Sequence, residues 1–154
     1  RLHGQDKRYY HKYIGMGGRL DTIQAAILLA KLPHYKKELE ERRKLARNYT
    51  ASLAHFFNTP IIKPNILSAW GQYTLRVNNR ETIQAKLRKD GIPTAIYYPM
   101  PLHLQECFSY LKYKKNDFPI AENASKEVMS IPMNALFSDN QVDYIISKIK
   151  KNIL

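Results

Sequence analysis

The sequence predicts a small α/β domain of α+β character, a short sheet with helices packed on it, and three observations lead there. Strand-like and helix-like patterns alternate, strand–helix–strand and then helix–strand–helix, which builds one layered core. The helical stretches carry apolar residues at helical spacing, with charge on the opposite face in the longer ones. The 154 residues contain no repeat and no low-complexity tract, and they are enough chain for one sizeable core.

In chain order, the first apolar helix runs from Leu20 to Leu32, with Leu20, Ile23, Ile27, Leu28 and Leu32 at helical spacing and alanines between them. So apolar a helix is expected to be buried on more than one side. Pro33 is expected to end it or to begin the next one. From His34 to Ala54, Tyr35, Leu39, Ala46, Tyr49 and Leu53 mark the inner face of a longer helix, and Glu38, Glu40, Glu41, Arg42, Arg43, Lys44 and Arg47 make its wet face. Past Pro60 and Pro64, Gln72 to Val77 alternates like a strand, with Tyr73, Leu75 and Val77 on one side. Asn78 or Asn79 can cap a helix from Arg80 to Lys89, with Ile83 and Leu87 inward and Gly91 as its stop. Thr94 to Tyr98 reads as a second strand closed by Pro99. The lysine-rich run Lys112 to Asn116 reads as mobile surface. Glu122 to Met129 reads as helix and Ser130 to Met133 as a short strand. Ser138 and Gln141 then form a capping box for a last helix with Val142, Ile145, Ile146 and Ile149 inward.

Composition removes several function classes. No apolar run is long enough to span a bilayer, since Ile23 to Leu32 is short and carries Gln24 and Lys31. One cysteine, Cys107, excludes an internal disulfide, fits a reducing cytosol, and is expected to be a buried small hydrophobe. Scattered histidines and too few cysteines argue against a structural zinc site. The formal charge of +12 invites a nucleic-acid reading. Its basic residues, however, form no single stripe interleaved with aromatics, and no groove-reading motif is present. A basic surround also concentrates polyanionic small molecules.

Chemistry concentrates at two places. Ile14-Gly15-Met16-Gly17-Gly18-Arg19 is a glycine-punctuated basic loop that runs straight into the first helix. Glycines let a backbone approach a ligand closely, a helix start offers free N–H groups, and the planar Arg19 fork suits phosphate or carboxylate. A plain glycine loop before a core helix is the competing account, with Arg19 paired to a carboxylate such as Asp21 or Glu122. The second place is Tyr97, Tyr98 and His103, spaced by prolines into a rigid aromatic edge, for which ordinary packing under a loop is the alternative.

These stretches resemble the DegT/StrS family of PLP-dependent aminotransferases that act on keto-sugar nucleotides. The resemblance rests on the glycine loop and on Ser68-Ala69-Trp70-Gly71-Gln72-Tyr73-Thr74-Leu75-Arg76. It rests too on Gly91-Ile92-Pro93-Thr94-Ala95-Ile96-Tyr97-Tyr98-Pro99-Met100-Pro101-Leu102-His103-Leu104-Gln105, and on Phe118-Pro119-Ile120-Ala121-Glu122 followed by Ser130-Ile131-Pro132-Met133. It implies the C-terminal domain of a fold-type I PLP aminotransferase, with residues 1–33 as a loop and helix leading to a PLP-binding large domain and 34–154 as the small domain. The large domain would hold the Schiff-base lysine and the acidic partner of the pyridine nitrogen, groups that PLP chemistry requires. No lysine here sits in a setting like that family's, so this chain alone is expected to be inactive.

The resemblance further implies pyridoxal 5'-phosphate as cofactor, a nucleotide-sugar substrate, an amino-acid donor such as glutamate, a cytoplasmic homodimer, no membrane partner and a place in cell-surface polysaccharide or amino-sugar synthesis. Members acting on UDP-linked 3-oxo sugar acids match best. Gly17 and Arg19 would then be cofactor-binding, and Arg19, Tyr97, Tyr98 and His103 substrate-binding. His11 matches a histidine of the same loop motif. Gly17 stands where the family usually has an asparagine that contacts the cofactor phosphate. The alternative is a non-catalytic remnant or split domain that serves as an interaction module.

Overall fold

Residues 2–152 are described by the computed structural model, which divides into two units, Arg1–Lys37 and Glu38–Leu154. In the first, β1 (Gln5–Lys7) and β2 (Tyr10–His11) pair antiparallel. The alternation of polar and aromatic residues there is too short to announce a hairpin from sequence. Gly4 makes it possible: at φ 72°, its carbonyl accepts from the Lys12 and Tyr13 N–H groups, and a Cβ would stand 1.7 Å from the Tyr13 oxygen.

The division falls within α1 (Thr22–Leu53), which runs unbroken through Pro33. The expected break is therefore corrected. Proline removes one backbone donor and crowds the preceding turn, a cost of about 3 kcal/mol. Alanine- and leucine-rich turns before it and Glu–Arg pairs after it, Glu38 with Arg42 and Glu40 with Arg43, keep both flanks helical. The apolar side chains of its first half, Ile23, Ile27, Leu28 and Leu32, are exposed rather than buried.

In the second unit α1 turns Leu45, Ala46, Tyr49 and Leu53 onto a core shared with β3 (Tyr73–Arg76), α2 (Arg80–Lys89), β4 (Val128–Ile131) and α4 (Asp139–Lys151). β3 pairs antiparallel with β4, from Tyr73 opposite Ile131 to Arg76 opposite Val128. Tyr73, Leu75 and Val77 are all buried, as the alternation required. The Tyr49 hydroxyl donates to the Pro132 carbonyl at 2.8 Å, and burial, helped by neighbouring Tyr73, pushes its pKa well above the ordinary phenol range.

α2 and Gly91 (φ 74°) stand where the sequence placed them, but Asn79 is itself left-handed and its side chain makes no cap bond. α4 keeps the full Ser138–Gln141 capping box, worth about 1 kcal/mol, and buries Val142, Ile145, Ile146 and Ile149.

Three further expectations are corrected. Thr94 to Tyr98 is not a strand: it forms one bridge, Ala95 with Ser130, because Pro93 and Pro99 on either side cannot donate to a ladder. The helix near 122 starts earlier, at Pro119 (α3, Pro119–Glu127), since proline suits a first helical position, and β4 consequently begins at Val128. Cys107 is exposed, on the 3-10 turn Glu106–Leu111.

Candidate functional site

Tyr97, Tyr98 and His103, chosen together from sequence, line one cleft of about 630 Å³. Pro99 and Pro101 stiffen the backbone between them, and Pro101 at φ −67° leads into the 3-10 turn Leu102–Leu104 that carries His103. Phe118 also lines it, together with Ala121, Ala124 and Ser125 of α3, whose small side chains leave the room. Tyr97 and Tyr98 meet edge to face at 5.7 Å, and Tyr98 is largely exposed. Their rings offer flat apolar surface with polar tips, which suits a base or a sugar ring.

His103 is different. Its side chain is only 8% exposed, its ring packs against Phe118 at 4.8 Å, and Nε2 lies 3.1 Å from Glu122 Oε1. Glu122, itself buried in the first turn of α3, also accepts from the N–H groups of Asn116 (2.7 Å) and Phe118 (3.4 Å). A carboxylate there is favoured by the positive end of the helix. The run Lys112 to Asn116, expected to be free surface, is thus tied at its last residue.

Desolvation pushes the Glu122 carboxyl up, but the Asn116 N–H, the His103 ring and the Phe118 N–H outweigh it and hold it below the usual carboxylate range. A depressed folded-state pKa contributes stability above the ordinary glutamate value of roughly 4.3, and that stability is lost as pH falls through the folded value. Glu122→Gln should therefore flatten the fall in urea midpoint between about pH 7 and pH 3. Identical slopes in wild type and variant would remove this carboxylate from the acid response.

The glycine loop lies in the other unit. Leu2 bridges to Gly17, and the His3 N–H donates to the Met16 carbonyl at 3.1 Å. A Cβ on Gly17 would stand 3.0 Å from the His3 ring, so an asparagine there requires that ring to shift. Arg19 is exposed, and no ion pair between described residues includes it. The His11 side chain lies outside the described residues.

Glu122 and Phe118 are the functional candidates that sequence reasoning missed. The acidic first turn after Phe118-Pro119 was a local signal for Glu122, but its partner His103 lies nineteen positions away, beyond any helical or strand period. Among the described residues, no group of three His, Cys, Asp or Glu could hold a metal ion, and no helix is long and apolar enough to cross a membrane.

Mixed helices around a small antiparallel sheet, with an aromatic cleft beside it, make a fold shared with solved aminotransferase structures. A crystal structure of a DegT DnrJ EryC1 StrS aminotransferase from Brucella abortus matches with a TM-score of 0.86 at 36% identity, covering 97% of this chain and 40% of that one. The chain belongs to the DegT/DnrJ/EryC1/StrS aminotransferase family, whose pattern matches residues 1–150. It is 41% identical over 148 residues to the UDP-2-acetamido-2-deoxy-3-oxo-D-glucuronate aminotransferase of Pseudomonas aeruginosa, covering 96% of this chain and 40% of that protein. It is also 41% identical over 153 residues to a pleiotropic regulatory protein of Geobacillus stearothermophilus, covering 97% of this chain and 41% of that protein. The chain thus spans about two fifths of the length of the relatives it matches.

Proposed function

We propose that this chain is the C-terminal part of a PLP-dependent aminotransferase that transfers an amino group, from a donor such as glutamate, to the keto group of a nucleotide-linked sugar. A UDP-linked 3-oxo sugar acid is the substrate class favoured by the similarity to the Pseudomonas aeruginosa enzyme. The observation that carries the reading is the convergence of Tyr97, Tyr98 and His103 on one cleft large enough for a sugar or a base.

The residues present do not fit the whole cofactor. PLP needs an amine for its Schiff base, and no lysine lines the Tyr97–His103 cleft. The Gly15–Arg19 loop and the exposed Arg19 fork fit only an anionic group such as a phosphate. The reactive amine is accordingly assigned to a large domain that residues 1–33 would join to the small domain 34–154, and this chain alone is assigned no activity. Its share is to bind and orient: Tyr97 and Tyr98 as flat contacts, His103 as a polar contact, Gly17 and Arg19 at an anion, with the loop serving a neighbouring subunit of a cytoplasmic homodimer.

The test is direct. The intact protein carrying this chain, supplied with PLP, glutamate and a UDP-linked 3-oxo sugar acid, should yield the amino sugar by mass spectrometry, and the product should vanish when either substrate is withheld. No product, with no visible absorbance from bound cofactor, would overturn the reading in favour of a non-catalytic interaction module.

A further inference from the structure

We propose that Glu122 is a positioning residue that acts through His103, holding the proton of the imidazole on Nε2 and leaving Nδ1 for a polar group of the bound nucleotide sugar. The proposal rests on the assignment of the Tyr97–His103 cleft to that substrate. Its basis is an asymmetry in how the cleft wall is built. His103 lines the cleft, whereas Glu122 does not and stands behind it. A single carboxylate oxygen of Glu122 gathers Nε2 of His103 and the N–H groups of Asn116 and Phe118. An ionised carboxylate only accepts, so the ring nitrogen facing it must carry a proton.

The other nitrogen is left unspent. No hydrogen bond between described residues engages His103 Nδ1, and the ring lines the cleft, so this nitrogen is the one assigned to an incoming group. Phe118 packs on the ring at 4.8 Å, and Tyr113 packs on Phe118 at 5.0 Å, which fixes the imidazole plane. The two backbone donors on the same oxygen serve a second purpose: they lock the segment before α3 to the carboxylate, so Glu122 cannot swing away without breaking three bonds. A residue needed only for packing would not need to present its acceptor to a histidine on the cleft surface. This is the arrangement by which a buried acid selects the tautomer and orientation of a working histidine.

The experiment is a double-mutant cycle on the intact, cofactor-loaded protein, read as KM and kcat for the nucleotide sugar. Glu122→Ala and His103→Ala should each raise KM about tenfold with kcat nearly unchanged, and the double variant should be no worse than His103→Ala. Glu122→Gln keeps an acceptor oxygen at the same place and should restore a near wild-type KM. Additive effects of the two alanine changes, or a Gln variant as impaired as the Ala variant, would overturn the proposal. A second reading needs no turnover: ¹⁵N spectra of His103 should show Nε2 protonated in wild type. A proton on Nδ1 alone would overturn it. Absence of turnover in the wild type would instead strike the proposed function, leaving the spectrum to decide on Glu122.

Discussion

Replacing Arg19 by alanine in the intact protein is expected to lower kcat/KM for the nucleotide sugar by about 10- to 100-fold, with the urea midpoint unmoved. The magnitude follows from the loss of a charge-assisted, bidentate contact to an anion, about 1.5–3 kcal/mol. The unmoved midpoint follows from the structure: Arg19 is exposed, and no ion pair between described residues includes it, so the fold loses nothing when it goes. Arg19→Lys keeps the charge but not the fork and should fall between the two. Separate titrations identify the anion. A weakened affinity for PLP places Arg19 at the cofactor phosphate, whereas a raised KM for the sugar places it at the substrate. Kinetics and cofactor affinity both unchanged would remove it from the site.

Leu75→Ala carries the largest expected effect on stability. Leu75 is fully buried in the middle of β3, opposite Met129 on β4, within the core that α1, α2 and α4 close. Truncation removes apolar contacts and leaves a cavity in a wall of strand and helices that cannot collapse onto it, at a cost of about 2–5 kcal/mol. Urea unfolding of wild type and variant measures this, provided the slope of the transition is shared. Leu136→Ala, at a leucine that is 83% exposed, is the matched control and should stay within about 0.5 kcal/mol. Equal losses at the two positions would mean that the core lies elsewhere.

Which elements could be read from sequence follows from where their information lies. α2 and α4 were legible because their signals are local: Gly91 takes the positive φ that ends α2, and the Ser138–Gln141 box opens α4. Burial of Tyr73, Leu75 and Val77 followed from period-two alternation. Pro33 misled because helix-breaking is a preference that strong helical flanks override, and the exposed first half of α1 shows that apolar residues at helical spacing do not by themselves secure burial. Thr94 to Tyr98 misled for the opposite reason: its composition suits a strand, but flanking prolines leave one rung of pairing.

The site divides the same way. Proline spacing and the family resemblance together singled out Tyr97, Tyr98 and His103, and the fold places them on one cleft. The sequence also determined the family, the capping box of α4 and the buried face of β3, all properties of neighbours along the chain or of one repeating period. Only the tertiary structure decided that Glu122 meets His103, and that the segment before α3 is tied to the same oxygen. A buried carboxylate takes whichever donors the packing brings within about 3 Å, and no periodicity encodes that choice.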